Sequence, residues 1–177
     1  MPKGASVVAE LDALDLALVT ALRENPRAGF LELSRVTHVA RATVESRLRR
    51  MEQAGVITGY GPDVDVAAAG FTVLAFVTLS IAQGALSAVQ ADLAAIPAVL
   101  EAYAITGSAD VVCKVAATSH ADLQQVLLHI DSSPSVARST SAIVLSTVIS
   151  PRDLPLLRSG TPAAVPRSPA FRSGPTT

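Results

Sequence analysis

Five arginines fall within sixteen positions of this chain: Arg35, Arg41, Arg47, Arg49 and Arg50. A guanidinium can hydrogen-bond phosphates or grip guanine with two donors. Between residues 107 and 110 a second pattern, Gly-Ser-Ala-Asp, brackets a short loop. Gly107 permits positive φ and leaves backbone N–H groups unshielded, so an α-carboxylate could rest there while Asp110 attracts an α-ammonium. Gly-x-x-Asp is also simply a turn sequence. Other chemistries find little support. Cys113 is the single cysteine, which excludes an intrachain disulfide framework, and it is expected to pack in its strand. His120 and His129 are nine apart, on opposite faces of a helix, and cannot form an i, i+4 metal pair. There is no Cys/His cluster, phosphate loop, Gly-x-Ser-x-Gly elbow or triad. The chain is therefore expected not to be an enzyme and to need no cofactor or metal.

The totals frame this. The 177 residues carry a net charge of −1, and half are hydrophobic, with aromatics only 3%. Such a chain can bury a core but has few large anchors, which favours an oligomer. Charge is uneven: residues 61–150 hold only Lys114 and Arg138 against seven acids, and the basic residues gather towards the two ends. No apolar run is long enough to span a membrane, and the start, with one Lys3 and a patch cut by Glu10, Asp12 and Asp15, does not resemble a signal peptide. A cytoplasmic protein with no membrane partner is expected.

The elements that must position these groups read as three segments. Asp12 caps a first helix, with Asp15 in its first turn, Leu11 and Leu16 at staple spacing and a Leu14, Leu18, Leu22 stripe. Pro26 breaks it. A second helix covers residues 30–37 with Leu33 and Val36 inward, and a turn through His38 and Val39 leads to a third over 41–54. There Val44, Leu48 and Met51 share a buried face; Ala42, Ser46, Arg49 and Gln53 lie opposite, flanked by Thr43 and Arg50, while Arg41 and Arg47 sit nearer the edges of the stripe. Gly55 ends the helix. "VITGY" and "VDV" around "GPD" read as a small hairpin, completing a winged helix-turn-helix over residues 1–60, with 61–70 as a hinge. Residues 71–150 give strand 71–81, helix 85–96, strands 99–106 and 111–117, a helix capped by Ser119, and a long strand 136–150. That order is the ferredoxin-like βαββαβ sandwich, so the fold class is α+β. Residues 151–177 hold six of the eleven prolines and read as a disordered basic tail.

The strings "LDALD", "NPRAGFLELS", "TVESRLRRMEQAGVITGY" and "TGSAD" resemble the Lrp/AsnC (feast/famine) family of bacterial regulators over about residues 9–150. The resemblance implies an N-terminal DNA-binding domain and a C-terminal effector and oligomerisation domain. It implies double-stranded DNA and a small effector, an amino acid, as partners, in a homodimer that can grow to an octamer. Residues 41–50 would be the recognition helix: Arg41, Thr43 and Ser46 near base edges with Ala42 beside them, and Arg47, Arg49 and Arg50 on phosphates. Arg35 would add a DNA-backbone contact, and His38, in the turn before the third helix, would either touch a phosphate or serve the turn alone. The effector set would be Tyr103, Gly107, Ser108, Ala109, Asp110 and the same-side pair Ser139 and Ser141, completed from a second subunit. One departure is Ala40, where the family places a capping serine; Thr37 or Arg41 would have to compensate. Two other readings remain open: an architectural DNA protein without a ligand, and an enzyme like the siroheme decarboxylases, which share this layout but would need more basic residues in 61–150.

Overall fold

The computed structural model describes residues 10–160, which divide into two compact units, 10–62 with 151–160, and 63–150. The first unit opens with α1 (Ala13–Glu24), α2 (Phe30–Thr37) and α3 (Arg41–Gln53). Asp12 closes a full capping box: its Oδ1 accepts the N–H groups of Leu14 and Asp15, while Asp15 Oδ2 accepts the N–H of Asp12 at 3.0 Å. Leu18, Ala21, Leu33, Val44, Leu48 and Met51 form the core of this unit. Val36, expected to face inward, is 53% exposed. The chain turns directly after α2, and Val39 packs against the core in its place.

His38 makes that turn in the left-handed region, φ 56°, ψ 35°. Asn, Asp and His tolerate this geometry better than other non-glycine residues. Ala40 occupies the N-cap of α3 with no side-chain cap, and Thr37 does not compensate, because its hydroxyl donates to the carbonyl of Leu33.

The expected wing hairpin does not form. Gly55, φ 70°, lets Val56 and Ile57 return their N–H groups to the Met51 carbonyl, and the Tyr60 hydroxyl donates to Glu52. This folds the chain back on the end of α3. Pro62 then removes a ladder donor. Asp65 accepts from the N–H groups of Ala67 and Ala68 and draws the would-be second arm into a turn. The expected tail is also partly structured. Residues 154–160 form α6 (Leu154–Gly160), packed on α1, with Arg23 donating to Asp153 at 2.6 Å. Pro155 is tolerated there because it falls in the first helical turn. The remaining tail residues, 161–177, and the leading residues 1–9 with Lys3 lie outside the described residues.

The second unit is β1 (Val73–Ile81), α4 (Leu86–Ala94), β2 (Val99–Ala104), β3 (Val111–Ala117), α5 (His120–Asp131) and β4 (Val136–Ile143). The sheet is antiparallel in the order β2-β3-β1-β4, the ferredoxin-like arrangement. Alternate β1 residues Val73, Ala75, Val77 and Leu79 are buried against Val89 and Leu93 of α4 and Leu123 and Ile130 of α5. Cys113 sits in this core, and burial pushes its thiol up to about 11. Neither helix of this unit covers the opposite face, where Phe76 and Tyr103 are exposed. β4 is shorter than expected: its ladder with β1 ends where Ile143 pairs with Ala75, and only the Val144 N–H, donating to the Leu74 carbonyl, continues beyond it. Among the described residues no helix is long and apolar enough to cross a membrane.

Candidate nucleic-acid interface and effector loop

The α3 sequence divides its own surface. Val44, Leu48 and Met51 are buried, so residues half a turn away must face out. Arg41, Ala42, Ser46, Arg49 and Arg50 are exposed, and Thr43 is half-buried. A shallow groove on this outer face is lined by Ala42, Glu45, Ser46, Arg49, Arg50 and Gln53. Arg49 bonds Glu45 one turn earlier at 3.1 Å and stays 65% exposed, so the pair is solvated. Arg35, in the last turn of α2, and His38 are exposed as well.

Two of the arginines reach from α3 to carboxylates at the start of α1. Arg47, 27% exposed at its side chain, donates to Asp12 and reaches both oxygens of Asp15 at 3.3 Å. Arg50 Nη2 donates to Asp15 Oδ2, yet 51% of its side chain remains exposed. Burial works against the charge of Asp12, but the N–H of Asp15 and the guanidinium of Arg47 outweigh it and hold the carboxyl below its usual range. The hydrogen bond to Asp12 raises Arg47 in turn, despite its own burial. Arg47, expected on a phosphate, thus ties α3 to the start of α1. Arg50 does this with one edge and faces out with the rest. This clamp was missed in the sequence. The available signal was the projection that placed Arg47 at the edge of the buried stripe, three residues before Arg50, opposite a helix start with two aspartates three apart.

In the second unit the 107–110 loop is built as its glycine suggests, with Gly107 at φ 119°. Asp110 closes the sheet: its N–H donates to the Leu79 carbonyl at 2.9 Å, and its Oδ2 accepts the N–H of Ile81 at 2.9 Å. Oδ1 takes no such bond. Ser108 is exposed and Ala109 half-buried. Ser139 pairs with Leu79 and Ser141 with Val77, so both share the helix-facing side of the sheet at its β4 edge. Ser139 lies two strands from Val111, roughly 10 Å across the sheet. Tyr103 pairs with Val112 and faces the open side. Its hydroxyl donates to Glu101 at 2.8 Å, and that bond raises the Tyr103 phenol and, with Lys114, lowers Glu101. One chain therefore holds the effector candidates as a loop, a serine pair and a tyrosine that do not converge on a single pocket. A cleft of about 360 Å³ does lie between α4 and β2, lined by Leu86, Leu93, Glu101, Tyr103 and Val111 among others. Nothing in the sequence marks it, because it arises where α4 lies along a free sheet edge. Among the described residues no group of three or more His, Cys, Asp or Glu could hold a metal ion.

The AsnC-type helix-turn-helix domain model matches residues 11–52, and the Lrp/AsnC ligand binding domain model matches residues 74–154. The chain is 32% identical over 146 residues to the HTH-type transcriptional regulator FL11 of Pyrococcus horikoshii, covering 82% of this chain and 97% of that protein. The E. coli AsnC structure superposes with a TM-score of 0.77 at 30% identity, covering 83% of this chain and all (100%) of that one. A transcriptional regulator from Neisseria meningitidis, solved in complex with L-Met, superposes with a TM-score of 0.76 at 26% identity over 84% of this chain and 99% of that one. The relatives are named as transcriptional regulators and not as enzymes. The chain belongs to the Lrp/AsnC family: it is a DNA-binding transcriptional regulator with an N-terminal helix-turn-helix and a C-terminal ligand-binding domain.

Proposed function

We propose that α3 enters the major groove of double-stranded DNA and that a small effector, an amino acid, bound at the C-terminal domain modulates DNA binding or assembly. The carrying observation is the division of α3 into a buried apolar face and an outer face bearing Arg41, Ser46, Arg49 and Arg50. Arg41, Thr43 and Ser46, in the N-terminal half of the helix, would meet base edges, with Ala42 against the groove wall. Arg35, His38, Arg49 and the outward edge of Arg50 would meet phosphates. Arg47 is left out of this set, because its guanidinium is engaged with Asp12 and Asp15.

The effector reading rests on Gly107 and Asp110. Gly107 holds a positive φ, a loop geometry suited to offering backbone N–H groups to a carboxylate, and Oδ1 of Asp110 is left for an ammonium. Ser108 and Ala109 leave room beside them, and the L-Met bound by the Neisseria relative supports an amino acid as the class. Tyr103, Ser139 and Ser141 join the site when a second copy supplies the missing wall. The exposed sheet face is the surface through which a homodimer, and from it an octamer, would form. Calorimetric titration of the twenty amino acids, repeated as a gel-shift panel, tests the reading. One or a few amino acids should release heat and change DNA affinity or assembly; silence in every assay would remove the effector while leaving DNA binding in place.

A further inference from the structure

We infer that Asp15 is a positioning residue for DNA contact, acting through Arg50. The inference rests on α3 being the groove-facing helix and adds a role on α1, outside the helix-turn-helix surface. Asp15 is the one buried charged residue among those described, at 0% exposure. Its Oδ2 receives both the N–H of Asp12 and Nη2 of Arg50, so the carboxylate is fixed by the capping box before it meets the arginine. Arg50 lies on the same outer groove as Ser46 and Arg49 and keeps 51% of its side chain exposed. A carboxylate on one edge of a planar guanidinium fixes its plane and leaves the remaining N–H groups for a phosphate oxygen. A long side chain ordered in advance loses less freedom when the complex forms.

Charge alone gives the opposite expectation. Removing a carboxylate near DNA should strengthen binding by relieving repulsion. Asp15, however, is buried and faces two guanidinium groups, Arg47 and Arg50, so its field is largely neutralised where the phosphate would sit. The orienting effect then dominates, and the two mechanisms differ in sign.

The test uses the full chain and fluorescence anisotropy on a duplex recovered from a random pool, over a range of salt concentrations, with D15N, R50A, the double variant and R49A. D15N is expected to weaken binding about fivefold, R50A by a similar factor, and the double variant to match R50A within about twofold, because the effect of Asp15 passes through Arg50. A purely structural role would lower the melting temperature of D15N yet leave its binding effect intact in the R50A background. Losses that multiply, or a D15N that binds more tightly than the parent, overturn the inference while a weakened R49A leaves the α3 reading standing. Unchanged binding by both R49A and R50A overturns the two together. Should D15N fail to fold by circular dichroism, R50K decides. It keeps the charge, but a single ammonium cannot orient the same fork, so it should bind like R50A; parental affinity in R50K overturns the inference.

Discussion

Asp12 holds two positions at once, as the cap of α1 and as partner of Arg47, and both stabilise its charged form. Its carboxyl is held low in the fold, so its contribution is complete above the ordinary carboxylate range and is lost as pH falls through the lowered value. Urea midpoints should therefore be flat near neutrality and drop progressively below about pH 4. Asp12→Asn should lower the midpoint at neutral pH and flatten that acid slope; a parent-like slope in the variant would contradict the assignment. Asp12 and Asp15 were legible as helix-starting residues, because capping depends on chain-local geometry. Their pairing with Arg47 and Arg50 was not, because it depends on how α1 crosses α3, thirty-five positions away for the pairs Asp12–Arg47 and Asp15–Arg50.

The same distinction runs through the elements. β1 and β3 are rich in β-branched residues and flanked by clear turns, and α5 opens on a Ser119 cap with Asp122 three residues on, so local signals fix them. The wing was misread because its two arms looked strand-like singly, while Pro62 and the Asp65 turn act on the pairing between them. α6 was hidden by Pro155, whose effect depends on its position within a turn. Ala40 is a weak point that the sequence did expose, since α3 has no side-chain cap. Ala40→Ser should supply one and stabilise the protein by about 1 kcal/mol, raising the melting temperature. An unchanged melt would mean that the first turn of α3 is satisfied by other donors and acceptors.

For the whole molecule, one sheet face carries both helices and the other carries Phe76, 46% exposed, and Tyr103, 57% exposed, in a chain otherwise poor in aromatics. Large apolar side chains on an uncovered sheet face are what a subunit contact requires. Phe76→Glu should shift the protein to monomer mass in light scattering and, by removing the second half-site, weaken DNA binding in step. This face follows from strand alternation, whereas an effector site could not be read in the same way, since the candidate residues lie on a loop and on two strands that are not neighbours in the sheet. The most direct measurement of the central claim is the salt dependence of DNA affinity for the parent and for Arg49→Ala, whose side chain is 65% exposed and paired only with a neighbour on its own helix. If α3 lies against phosphates, the variant should bind all duplexes more weakly by a similar factor, and the slope of log affinity against log salt should fall by about one. Parental affinity and slope in Arg49→Ala would contradict the account.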